Sequence, residues 1–147
     1  MKEYNEYNDK LVSVETALAA AAAGFDDHQV ECFTKFEGEP DGQFMDSYSG
    51  LIGDGEEFIC YRPTQSALQK WLRDKHGITV ESNFLPNIKK YRCFYKPQNI
   101  IPKDFKDWKE YYIAVDKYFG KENYDTYEEA LEVGLFRAAE QIKLNKS

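Results

Sequence analysis

The chain has 147 residues, 42% hydrophobic and 16% aromatic, which is enough apolar material for one domain with a real core and too little length for two. Its 26 Asp and Glu outweigh 19 Lys and Arg for a net charge of -7, which argues against general attraction to phosphate backbones or anionic lipid. The longest apolar run, Ala17 to Ala23, is far below the roughly 20 residues of a membrane span, and the opening MKEYNEYNDK is too acidic for a secretory signal, so the expectation is a cytoplasmic protein.

The first ten residues read as a frayed tail, with Tyr4 and Tyr7 able to dock on the body. A helix over 13–24 follows, capped by Ser13 and stopped near Gly24, with Val14, Leu18, Ala21, Ala22 and Phe25 as its stripe. VECFTKF, 30–36, alternates like a strand. Residues 37–56 hold five glycines and a proline and read as one long irregular loop, a length that compact domains seldom keep without using it. FICY, 58–61, is a second short strand.

RPTQSALQKWLRDKHGI, 62–78, is a helix over 64–76 with Thr64 as N-cap and Gly77 just past its end. Ala67, Leu68, Trp71, Leu72 and the stem of Lys75 share its inner face, leaving Gln65, Gln69, Lys70, Arg73 and Asp74 outside. That mixed outer face is too poor in positive charge for a DNA-reading helix. ITVESNF and YRCFYK, 78–84 and 91–96, pair as an antiparallel hairpin, and EYYIAVDKYF, 110–119, alternates as a further strand. The last helix, 126–143, opens on Asp125 or Thr126 with Glu128 and Glu129 at capping-box spacing. Tyr127, Leu131, Gly134, Leu135, Ala138 and Ile142 form its buried stripe, with Gly134 allowing close approach to a neighbour.

These elements predict one α+β domain spanning 1–147, an antiparallel-dominated sheet of four or five strands packed by about three helices. Three segments, ETALAAAAAGFD, YRPTQSALQKWLRDKHGI and YDTYEEALEVGLFRAAEQI, together resemble a set of small uncharacterised proteins encoded by bacteriophages and prophages of gut anaerobes. The shared features are caps and core stripes rather than chemistry. The resemblance implies a compact mixed protein of mobile-element origin and carries no activity.

Catalytic signals are sparse. Cys32, Cys60 and Cys93 lack the spacing of a metal or redox motif and read as core thiols. His28 sits in a turn beside Asp26 and Asp27, where such residues gather without a metal, and His76 falls at a helix end, where the dipole suits it. GDGE at 53–56 lacks a calcium ligand series, and GLIGDG lacks the lysine of a phosphate loop. No catalytic residue, metal or cofactor is assigned.

Interaction candidates are Phe136 and Val133, which fall off the buried stripe onto the wet face of the last helix, and Phe44, Met45 and Tyr48 in the long loop. The expected function is a non-enzymatic protein-binding module, with a protein partner or self-association as a homodimer and no nucleic acid. The alternatives are an acidic nucleic-acid mimic that blocks a DNA-binding enzyme, and a small hydrolase or ligand-binding domain whose pocket lies under the 37–56 loop and reaches a histidine.

Overall fold

The computed structural model describes residues 9–40 and 44–146, and it is an α+β structure. In chain order the elements are helix α1 (Val14–Ala22), strands β1 (Glu31–Phe36), β2 (Met45–Tyr48) and β3 (Glu56–Tyr61), helix α2 (Gln65–His76), strands β4 (Ile78–Leu85) and β5 (Lys90–Pro97), and helices α3 (Trp108–Val115) and α4 (Tyr127–Lys146). The five strands make two antiparallel sheets rather than the single sheet expected: β2-β1-β3 and the hairpin β4-β5. Between them in the chain lies α2, which packs on β4.

Local chemistry sets the helix ends where the sequence places them. Ser13 accepts a hydrogen bond from the Thr16 N–H at the start of α1, and Thr64 accepts from the Ala67 N–H at the start of α2. Gly77 closes α2 in the left-handed region at φ 63, where its amide bonds to Leu72 and Arg73 carbonyls. Of the two cap candidates on the last helix, Thr126 is the one engaged: its hydroxyl accepts from the Glu129 N–H at 3.1 Å, while the Glu129 carboxylate accepts from the Thr126 N–H at 3.1 Å.

Helix α4 is the centre of the molecule, packing on β4, β5, α1 and α2. Its buried residues are mostly small: Ala130, Gly134, Ala138 and Ala139, with Leu131, Leu135 and Ile142 as the larger members. A Cβ on Gly134 would lie 2.9 Å from Val80 Cγ1 and 3.2 Å from Cys93 Cβ, so glycine sets the approach of α4 to the hairpin. The expected stripe fails at its first position, since Tyr127 is 40% exposed. On α1 the buried side is Thr16, Ala17, Ala19, Ala20 and Ala23, whereas Leu18, Ala21 and Ala22 lie outside. An alanine-rich helix has no strong stripe of its own, and the surface it meets selects the face.

Three further expectations are corrected. The 37–56 segment is not structureless: β2 pairs with β1 through Thr34↔Met45 and Glu31↔Tyr48, and a 3₁₀ turn over Ser49–Leu51 follows. Residues 9 and 10 are not tail, because the Gln65 N–H donates to the Lys10 carbonyl at 2.7 Å and the Ser66 N–H to Asp9 at 3.2 Å; Tyr4 and Tyr7 lie outside the described residues. The strand expected at 110–119 is α3 and a 3₁₀ turn over Asp116–Tyr118. Beyond it, Phe119 and Tyr124 bridge to Phe94 and Tyr91, which covers part of the outer edge of β5.

Candidate functional site

Two places on the surface combine unusual chemistry with access. The first is a cleft where α1, α2 and α4 all begin. Its volume is about 410 Å³, and Arg62, Gln65, Glu128, Glu132 and Val133 are among the residues lining it. Glu132 is the hub: one carboxylate oxygen accepts from the Ser13 N–H at 2.9 Å and the Ser13 hydroxyl at 3.0 Å, and the other accepts from Gln65 Nε2 at 3.0 Å. Helix N-termini present unpaired N–H groups and a positive end of the dipole, so a carboxylate is well placed there.

Gln65 was expected on the wet face of α2 but is only 2% exposed. Its Nε2 donates to the Glu128 carbonyl as well as to Glu132, both at 3.0 Å, which fixes the orientation of the amide. Its Oε1 is enclosed and has no hydrogen-bond partner among the described residues. Sequence periodicity gave no signal for this burial, because the acceptors come from α4, 63 and 67 residues away.

Arg62 closes one side of the cleft. Its Nε donates to the Val12 carbonyl at 2.8 Å, Nη1 pairs with Asp46 at 3.0 Å, and the guanidinium lies 4.9 Å from the centre of the Phe33 ring. The other cations of the basic stretch are largely occupied too: Lys70 pairs with Asp74, and Arg73 lies 3.7 Å from the same carboxylate. The hydrogen bond from Lys70, with the surrounding cations, holds Asp74 below the ordinary carboxylate range.

The second place is an aromatic ridge on α3. Trp108, Tyr112 and Ile113 are 61%, 60% and 67% exposed, and Val115 is the buried residue of the helix. Trp108 and Tyr112 are stacked with centroids 5.8 Å apart, while Tyr111 meets Trp108 at 5.9 Å and Phe105 at 5.6 Å. The helix starts on Asp107, whose side chain accepts from the Glu110 N–H at 2.9 Å. That D-x-x-E spacing is a helix-start signal, and it was outweighed by the alternation of Tyr111, Ile113 and Val115. Lys103, Lys106 and Lys109 accompany the ridge and form no salt bridge among the described residues.

The residues expected to form an interaction surface are not assembled into one. Phe136 and Val133 are half-buried rather than on a wet face: Phe136 packs against the main core, and Val133 lines the cleft. Phe44 also packs against the core, Met45 is half-buried in β2, and Tyr48 is 52% exposed.

The two histidines make local contacts. His28 Nε2 lies 3.2 Å from Ser49 Oγ, a spacing that suits a nucleophile and its base, but the hydroxyl proton is directed to the Gln29 carbonyl at 2.8 Å. The Gln29 carbonyl thus competes with the imidazole for the Ser49 proton. His76 lies edge-on to Trp71 at 4.6 Å. Among the described residues, neither lines the cleft at the start of α1, α2 and α4 or the cavities beside α3.

Cys32, Cys60 and Cys93 are buried and unbridged. Burial raises all three thiols, Cys60 to about 11, and in Cys93 it outweighs the opposing pull of Arg137. Among the described residues no group of three His, Cys, Asp or Glu could hold a metal ion, and no helix is long and apolar enough to cross a membrane. No protein-family model matches the chain, and neither the curated proteins nor the solved structures yield a match.

Proposed function

We propose that the protein is a non-enzymatic protein-binding module of phage or mobile-element type, and that it docks through the α3 ridge. The observation that carries this reading is the stacked Trp108–Tyr112 pair standing with Ile113 in solvent on a helix that buries little of its own surface. Large aromatic groups left outside the core are the side chains that dominate protein interfaces when desolvated. Lys103, Lys106 and Lys109 alternate with Asp104, Asp107 and Glu110 beside them, so the rim carries both signs and the apolar centre is what favours a partner face.

The test is affinity capture from lysogenic or infected cells, with the wild-type chain and a Trp108→Ala/Tyr112→Ala double variant side by side. The expected result is a stoichiometric partner held by the wild type and lost by the variant, with Tm unchanged. A partner retained equally by both chains would remove the ridge from the proposal. Sedimentation of the two chains identifies the case in which the partner is a second copy.

A further inference from the structure

We propose that the cleft at the start of α1, α2 and α4 is a second binding site, one that takes the guanidinium of an arginine side chain on Gln65, Glu128 and Glu132. The argument is an inventory of donors and acceptors. Most donors in the cleft are committed: the Ser13 N–H goes to Glu132, its hydroxyl is shared between Glu132 and Thr16, Gln65 Nε2 goes to Glu128 and Glu132, and Arg62 spends Nε on Val12 and Nη1 on Asp46, which leaves Lys10 as the lining cation with no salt bridge among the described residues. The acceptors are not. Gln65 Oε1 is enclosed without a donor, and the Glu128 carboxylate accepts no hydrogen bond and joins no ion pair among the described residues. Glu132 Oε1 receives one bond and has a lone pair to spare.

An enclosed acceptor without a donor is costly, and a donor brought to the floor of the cleft removes that cost. The charge has the same sense: three carboxylates, of Glu128, Glu129 and Glu132, line the cleft against Lys10 and an Arg62 already paired with Asp46. Several acceptors with spare capacity on one cleft suit the forked, permanently charged guanidinium better than the single point charge of an ammonium. A cleft of about 410 Å³ has room for such a side chain.

The experiment follows the Gln65 side-chain amide signals of the full chain by NMR during titration with acetyl-Gly-Arg-Gly-amide, alongside the same peptide carrying citrulline or lysine. The expected result is a saturable shift with arginine, at least about tenfold weaker binding of the citrulline peptide, and weaker binding of the lysine peptide. Glu128→Gln is expected to weaken the arginine peptide about tenfold, while Glu57→Gln on the exposed part of β3 leaves it unchanged. Gln65→Met is expected to abolish binding, and Glu128→Gln keeps the test decisive if that variant does not fold. No saturable shift at millimolar arginine peptide, or citrulline binding as tightly, would overturn the site; lysine binding as tightly would overturn the guanidinium assignment.

Discussion

Helices α3 and α4 distribute side-chain size in opposite ways. Helix α4 lies at the centre and presents Ala130, Gly134, Ala138 and Ala139 to its neighbours, so that backbone approaches backbone. Helix α3 lies at the edge and presents Trp108, Tyr112 and Ile113 to water. Stability comes from close packing, which small residues allow from every side of a central rod. Large exposed rings contribute little to that packing, and under the proposed function they serve to meet another molecule.

This contrast can be broken at several points. Leu135 is fully buried on α4, and Leu135→Ala is expected to cost about 2–5 kcal/mol, read from chemical denaturation at unchanged slope. The interior also carries an alkaline limit. Cys60 is raised to about 11 in the folded chain, mainly by burial, whereas the unfolded thiol ionises near its ordinary value of 9.0. Because the raised value belongs to the folded state, the stability it protects is complete below pH 9 and is lost as pH climbs through 11, on the order of 2 kcal/mol. Burial of Tyr95 and Tyr127 acts in the same direction. Denaturation midpoints measured from pH 8 to 11 check the window, and a Cys60→Ala variant should show a shallower fall.

Gly134→Val is expected to cost about 1–3 kcal/mol, since its Cβ would press on Val80 and Cys93 and the hairpin would have to move away. Ser13→Ala removes the α1 cap and one of the donors to Glu132, the hydroxyl, for a loss of about 1 kcal/mol in Tm-based stability. At the other end of the scale, Trp108→Ala is expected to stay within about 0.5 kcal/mol of wild type in the same assay. A loss there as large as that of Leu135→Ala would show the ridge to be part of the core and would erase the distinction between the two helices.

The legible parts of the fold share one property, which is that their causes lie within a few residues. Ser13, Thr64, Gly77 and the Thr126–Glu129 box act over a turn of chain, and the β4–β5 hairpin forms between adjacent runs. The misread parts have competing local signals or distant causes. In α3, the Asp107–Glu110 cap competed with a strand-like alternation, and helix won. In 45–48, the glycines and proline around it hid a strand whose stability comes from pairing with β1. The candidate sites were the least legible. Phe136 and Val133 fall on the wet side of an isolated helix, but α4 is surrounded by four elements and has too little wet surface to leave them there.

The sequence by itself determined the starts of α1, α2 and α4, the stop of α2, the hairpin, the α+β class and the apolar character of the three cysteines, because these follow from hydrogen bonds and burial preferences among near neighbours. Only the tertiary structure decided that the strands divide into two sheets, that Gln65 is enclosed beside Glu132, and that the aromatic residues of α3 stand outside. Those outcomes depend on which surfaces meet across more than sixty residues of chain, as the Gln65–Glu132 contact does, and no local preference encodes the meeting.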